Sequence, residues 1–416
     1  RNTPTQTSSL GTDRTAIAIT ARAEHTCAIL DDGSVSCWGY NNKGQLGDGT
    51  TTDRNTPTQT SSLGTDRTAV AIATGGYHTC AILDDGSVRC WGNNGQGQLG
   101  DGTNTDKNTP TQTSSLGADR TAVAITVGTS HTCAILDDGS VSCWGGNGFS
   151  QLGDGTTTDR NTPTQISTLG TDRTAVAISA GYAHTCAILD DGSVSCWGYN
   201  FYGQLGGGNS GEGPTQTSSL GTDRTAVAIT AGEYHTCAIL DDGSVSCWGK
   251  NNDGHLGDGT TTQRNTPTQT SSLGTDRTAV AISAGYAHTC AILDDGSVSC
   301  WGYNGYGQLG DGTTTDRSTP TQTSSLGTDR TAIAINAGSL HTCAILDDGS
   351  VSCWGWNDYG QLGDGTSTQR NTPTQTSSLG TDRTAIAITA RAEHTCAILD
   401  DGSVSCWGYN NKGQLG

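Results

Sequence analysis

Short runs of alternating apolar and small residues recur along the whole chain. In TAVAIAT, Thr68–Thr74, Val70 and Ile72 alternate with alanine, the period-two pattern of a strand. Two further runs, HTCAIL at His78–Leu83 and SVRCW at Ser87–Trp91, are rich in residues that suit sheets. Between them Asp84-Asp85-Gly86 makes a three-residue hairpin loop, built from a type I turn with glycine in the left-handed position. Upstream, TPTQTSSLG at Thr56–Gly64 is polar, and Pro57 restricts it to an edge, so it predicts a fourth, outer strand.

The turn fixes the register. If Leu83 pairs with Ser87, then Ile82 faces Val88, Ala81 faces Arg89 and Cys80 faces Cys90. The two cysteines then fall on a non-hydrogen-bonded pair, where α-carbons approach to about 4.5 Å, within disulfide range. Cys80, Ile82, Val88 and Cys90 share one face of the hairpin, and Ala81, Leu83 and Trp91 share the other. Apolar groups on both faces predict a sheet sandwiched between neighbouring sheets.

The unit repeats. HTCAILDDGSVSCWG, His25–Gly39, returns seven more times, changed only at Arg89, with steps of 53 residues and one of 51. The short step lies where GGGNSGEGPTQ, Gly206–Gln216, replaces a segment like GDGTTTDRNTPTQ. Eight units are expected: 1–53, 54–106, 107–159, 160–210, 211–263, 264–316, 317–369 and 370–416. A period of this length marks propellers and solenoids. The cross-strand reading pairs Cys27 with Cys37, Cys80 with Cys90, Cys133 with Cys143, Cys186 with Cys196, Cys237 with Cys247, Cys290 with Cys300, Cys343 with Cys353 and Cys396 with Cys406. Each bond would add at most about 2.8 kcal/mol for a loop of about 11 residues.

Composition supports a core assembled from small pieces. Of 416 residues, 60 are glycine, none is methionine, and 32% are hydrophobic. The net charge of -19 argues against nucleic acid or an anionic membrane surface as partner. No apolar run is long enough to span a bilayer. The chain starts at Arg1 within the pattern, without a signal peptide, and reads as a mature protein or part of a longer one.

Metal and catalytic readings of the motif fare less well. His78, Cys80 and Cys90 share a region, but tetrahedral zinc needs a fourth ligand and the spacing matches no common zinc form. A Cys/His nucleophilic pair repeated in eight similar units is not how an active site is usually built. The Asp-Asp-Gly turns bring 16 of 40 acidic residues to one rim, read as solvated turns rather than cation sites. DGTTTD, Asp48–Asp53, has oxygen ligands in series but lacks the spacing and final Glu of an EF-hand loop. No catalytic residue, metal site or cofactor is expected.

Variation is confined to two windows, the two positions before each histidine and the four after each Trp-Gly. Extending the register sets Tyr77 opposite Asn93, so both windows meet at the end of the hairpin away from the Asp turns. All eleven tyrosines, both phenylalanines and Trp356 fall there. The candidate binding residues are Tyr77, Phe149, Tyr182, Tyr199, Phe201, Tyr202, Tyr234, Tyr286, Tyr303, Tyr306, Trp356 and Tyr359. Aromatics mixed with Asn, Gly and Ser suit an adaptable recognition surface; cover for neighbouring blades is the alternative. There is no Asn-x-Ser/Thr sequon, and TPTQTSS is a candidate for O-linked sugars.

GYAHTCAILDDGSVSCWGYN, Gly181–Asn200, followed by GQLG at Gly203–Gly206, resembles the regulator of chromosome condensation repeat. The resemblance covers all eight units. It implies an all-β fold of tandem four-stranded blades, a β-propeller of the seven-bladed type or an open propeller-like superhelix, here with one disulfide per blade. In character it is closest to secreted members that bind a partner through an aromatic rim. The founding member is a nuclear nucleotide-exchange factor, from which this chain departs in its acidity and its paired cysteines, which suit an oxidising compartment. Exchange activity is the third-ranked expectation.

Arg1–Gly47 is identical to Arg370–Gly416, so the full period is seven units and 369 residues. A ring or a longer periodic array both follow. The expected function is that of a non-enzymatic, secreted or cell-surface repeat protein, structural or adhesive, a building block of a filament. The alternative is a discrete secreted binding or inhibitor propeller. Expected partners are a protein or glycan at the variable rim and further copies of the chain, with neither nucleic acid nor membrane insertion.

Overall fold

The computed structural model describes residues 1–22, 24–207 and 213–416. The segment Gly206–Gln216, which accounts for the short repeat step, therefore lies partly outside the described residues. The first strand, β1 (Thr5–Gln6), is followed by β2 (Ala16–Arg22), β3 (His25–Leu30), β4 (Val35–Gly39) and β5 (Arg54–Gln59). Strands β2 to β5 form an antiparallel meander in chain order, and the pattern repeats to give eight four-stranded sheets among the described residues. The expectation of seven blades is corrected to eight. Each Cys-to-Cys hairpin forms the two central strands of its own sheet, and β1 pairs with Val404–Gly408 to complete the last one, Thr5 opposite Cys406. Each complete sheet also straddles the 53-residue frame, because its outer strand opens the next repeat.

The chain divides into two compact units. One comprises Thr7–Asn200, Asn209–Gln216 and Asn411–Gly416 and holds four sheets; the other comprises Arg1–Gln6, Phe201–Gly208 and Thr217–Asn410 and holds the other four. They are called here the N-unit and the C-unit.

Within each sheet the predicted register holds. Cys80 faces Cys90, Ala81 faces Arg89 and Ile82 faces Val88, while the Leu83 amide donates to the Ser87 carbonyl at 2.8 Å. Gly86 takes φ +73°, the left-handed turn position that the Asp-Asp-Gly loop requires. All eight predicted disulfides are formed, with α-carbons 4.1 Å apart.

The core lies between blades. In the N-unit, Cys27, Ile29, Val35 and Cys37 on one face pack with Leu46 against Ala81, Leu83 and Trp91 of the next. The disulfide of one blade thus packs in the same cluster as the tryptophan of its neighbour. Leu46 belongs to Gln45-Leu46-Gly47, whose last residue has φ +71° and lies so close that a Cβ would sit 2.8 Å from the Trp91 indole nitrogen. The same approach recurs between Gly100 and Trp144 and between Gly310 and Trp354, which explains a glycine at the end of the tripeptide. Val70 differs from its strand neighbours. A bulge between Ala69 and Ala71 leaves it outside the ladder, so it is 60% exposed while Ala69 is buried.

Candidate functional site

The variable rim begins where each hairpin ends. The Asn93 amide donates to the Tyr77 carbonyl at 2.8 Å, so the two windows meet as the register requires. Beyond them the chain enters a loop held by one buried asparagine. In the C-unit, Asn304 Nδ2 donates to Asp311 at 3.1 Å and to the carbonyls of Thr313 and Thr315 at 3.1 and 3.0 Å, and its Oδ1 accepts from the Leu309 amide at 3.0 Å. Arg317 Nε donates to the second oxygen of Asp311 at 2.6 Å. Burial alone would raise the Asp311 carboxyl, but hydrogen bonds from Thr313 and Arg317 hold it below its ordinary value. The same arrangement joins Asn41, Asp48 and Arg54, so the leading aspartate of DGTTTD is an internal brace.

The opposite rim is also braced. Before each inner strand stands a repeated Thr-Asp-Arg, Ala-Asp-Arg at Ala118–Arg120; Arg67 pairs with Asp85 at 2.7 Å and Arg120 with Asp138 at 2.9 Å, so this arginine neutralises the second aspartate of the turn in its own blade. The aspartate of Thr-Asp-Arg sits at φ near +55°, as at Asp66, a conformation that aspartate tolerates better than most residues.

The repeated His-Thr dipeptide works between blades. In the N-unit, His78 Nε2 lies 3.0 Å from Thr132 Oγ1 and His131 Nε2 lies 2.9 Å from Thr185 Oγ1. Thr132 donates its own hydroxyl to the Gln98 carbonyl at 3.1 Å. In the C-unit, His288 reaches Thr342 and His341 reaches Thr395, each at 2.9 Å. These contacts join residues 54 apart, and in the sequence the fixed His-Thr pair is their only trace.

The aromatic candidates divide between the two units. In the C-unit, Tyr303, Tyr306, Trp356 and Tyr359 form a chain of contacts with centroid separations of 6.2, 6.1 and 5.3 Å. Tyr409, outside the candidate set, extends it at 4.8 Å. Phe201, Tyr202 and Tyr234 form a second cluster at 5.0 and 5.5 Å, with Lys250 Nζ 5.9 and 5.8 Å from the Tyr202 and Tyr234 ring centres. Tyr286 is 45% exposed; the carboxylate of Glu233, burial and Tyr202 raise its phenol above the ordinary value. In the N-unit, Phe149 packs on Tyr199 at 4.8 Å and Tyr77 on Tyr40 at 6.2 Å, while Tyr182 is 39% exposed. Phe201 is the most open of these rings, at 72%. The other eight tryptophans are fully buried between blades.

An RCC1-like domain matches residues 1–280, and regulator of chromosome condensation (RCC1) repeats match 279–308, 332–361 and 386–414. The chain belongs to the regulator of chromosome condensation repeat family. It is 33% identical over 353 residues to the ultraviolet-B receptor UVR8 of Arabidopsis thaliana, covering 84% of this chain and 79% of that protein. It is also 33% identical over 347 residues to the human E3 ubiquitin-protein ligase HERC2, covering 82% of this chain but 7% of the ligase. Among solved structures, yeast RCC1 (Prp20) bound to Kap60 aligns with a TM-score of 0.68 at 21% identity, over 92% of this chain and 90% of that one. Human WBSCR16 aligns at 0.69 and 20% identity, over 90% and 98%. At these identities the structural likeness establishes the fold, a β-propeller.

Proposed function

We propose that this chain is a non-enzymatic protein-binding propeller of an oxidising, extracellular setting, and that it meets its partner through the aromatic rim. The observation that carries the reading is the chain of rings from Tyr303 to Tyr409. None of these five rings is fully buried, whereas all eight repeated tryptophans are. Rigid rings on braced loops lose little conformational freedom on binding, which suits them as anchors. Protein binding accords with the fold, since yeast RCC1 is found bound to Kap60. Eight disulfides with no free cysteine support the oxidising setting.

Selection of displayed peptides or small domains on the immobilised protein tests the rim. Ligands that bind the native protein but not Trp356→Ser with Tyr359→Ser, and that still bind Asp294→Asn on the opposite rim, support it. Ligands indifferent to the rim substitutions overturn it.

A second reading, a structural or adhesive array, is favoured by the identity of Arg1–Gly47 with Arg370–Gly416. Repeated identical blocks make the same contact again and again. Electron microscopy of the native material distinguishes fibres from uniform isolated particles; the latter outcome removes this reading.

A further inference from the structure

At two positions of the N-unit the rim loops carry an internal ammonium site, and at one position of the C-unit the charge of its donor is reversed. Lys412 Nζ lies 3.5 Å from Asp53 Oδ2 and 4.9 Å from the centre of the Tyr40 ring. Lys43 Nζ likewise lies 3.1 Å from Asp106 Oδ2 on the following blade. The rule is positional. The lysine is the fifth residue after one blade's tryptophan, the aspartate is the fifteenth after the next, and Tyr40 is the second after that same tryptophan. Asp53 is anchored by accepting the Asn41 amide at 2.9 Å.

In the C-unit the same positions hold Tyr303 in place of Tyr40 and Asp316 in place of Asp53, and the Asn304 amide donates to Asp316 at 2.7 Å. The ring and the anchored carboxylate are thus both retained. The position that supplied the ammonium, however, is Asp253. A cation donor has become a second carboxylate, at the position that in the N-unit pairs with this neighbour. Asp316 is exposed, and Asp253 remains 32% exposed.

No lysine or arginine pairs with either carboxylate among the described residues. The near neighbours of Asp253 are His255, whose Nδ1 is 3.9 Å away on a ring that burial keeps neutral, and Lys250, whose ammonium lies beside Tyr202 and Tyr234. Burial and the Asp316 charge hold the Asp253 carboxyl above its ordinary value, against the pull of Lys250. Two like charges that oppose each other's ionisation are an arrangement that an added cation relieves.

We propose that Asp253, Asp316 and Tyr303 form a receptor for the ammonium group of a lysine side chain on a partner protein. This rests on the rim reading above and adds the chemistry of the contact. The incoming ammonium takes the place that Lys412 occupies on the N-unit, against a carboxylate and beside an aromatic ring. The ring chain that continues from Tyr303 through Tyr306 to Trp356 then lies under the residues flanking that lysine.

Calorimetric titration with N-acetyl-tetralysine amide, set against the same peptide acetylated on every side chain, tests the proposal. The native protein binds the charged peptide more tightly. Asp253→Asn and Asp316→Asn each weaken it about five- to tenfold, the scale of one charge-assisted contact, while Asp294→Asn, an equal change of charge on the opposite rim, leaves it unaltered. Asp253→Lys restores the residue type of Lys43, so it preserves the fold and abolishes the response. Equal losses for Asp294→Asn, or unaltered binding by Asp253→Lys, would overturn the site. Peptide binding indifferent to Asp253 alongside selected ligands that still require Trp356 removes this site alone; ligands that ignore Trp356 remove the rim reading itself.

Discussion

His78 Nε2 lies 3.0 Å from Thr132 Oγ1, and that hydroxyl already gives its proton to the Gln98 carbonyl. The threonine oxygen is therefore the acceptor, and His78 must carry its proton on Nε2. Its Nδ1 is left as a buried nitrogen without a hydrogen-bond partner, packed against Gly75, where a Cβ would sit 2.5 Å away. The motif that looked like a metal or nucleophile signature thus holds a neutral imidazole as a bridge between blades.

Protonating these rings is costly, which sets the pH dependence. Burial lowers His78, His131 and His341 to about 3 and His184, His288 and His394 to about 4. An unfolded histidine titrates at about 6.5, so between the two values the unfolded chain binds more protons than the folded one. The stabilisation is fully present above about pH 6.5 and is lost progressively as pH falls toward 4 and then 3. Melting temperature measured from pH 8 to 4 should be level at the top and fall below neutrality. A flat profile down to pH 4 would refute the buried neutral bridges.

The hydroxyl in the bridge is tested by Thr289→Val in the C-unit. Thr289 accepts from His235 at 2.9 Å and donates to the His255 carbonyl at 3.1 Å. Valine keeps the volume and removes both bonds, so a loss of about 1–3 kcal/mol follows from stranding buried polar groups. The urea midpoint measures it.

Removing one staple, Cys290→Ala with Cys300→Ala, tests the disulfide contribution. The chain-entropy value of about 2.8 kcal/mol is a ceiling, because Leu293 and Ser297 already close the hairpin at 2.8 Å. A midpoint shift larger than this would show that the bond also matters for packing in the cluster with Trp354.

How much of this was legible depended on the distance over which each feature acts. The Cys80 to Cys90 pairing followed from a three-residue turn, because a local register propagates along a hairpin. The facing of Ala81, Leu83 and Trp91 followed from strand alternation for the same reason. The exposure of Val70 did not, since a bulge reverses the alternation and leaves no compositional mark. Nor did the blade count, because the resemblance and the seven-unit identity both suggested seven, whereas the last sheet draws its fourth strand from Thr5–Gln6. The aromatic rim was found by asking where the repeats differ. The same question, asked of charge at the fifth residue after each tryptophan, would have paired Lys43 with Asp106 and exposed the reversal at Asp253.

Loop rigidity rests on the buried asparagines. Asn304→Ala removes the donor to Asp311 and two carbonyls and the acceptor of the Leu309 amide. Losing this set should cost about 2–4 kcal/mol, more than a single buried hydrogen bond, and should accelerate amide exchange at Leu309 more than at Leu293 in the adjoining hairpin. Equal protection at both amides would mean that the loop does not depend on the asparagine.

Trp356 offers a direct optical test of the rim. The eight repeated tryptophans are fully buried, whereas Trp356 is half-buried and packs edgewise on Tyr359 with centroids 5.3 Å apart. Acrylamide should therefore quench one accessible, red-shifted component and leave the bulk of the emission almost untouched. Trp356→Phe should abolish that component with no change in melting temperature beyond about 1–2 °C, because the ring lies outside the interblade core and surface substitutions shift stability little. A rim ligand should protect the same component from quenching, so titration of the native protein reports occupancy without a label. Quenching that persists in Trp356→Phe would place solvent at a repeated tryptophan and contradict the packing between blades.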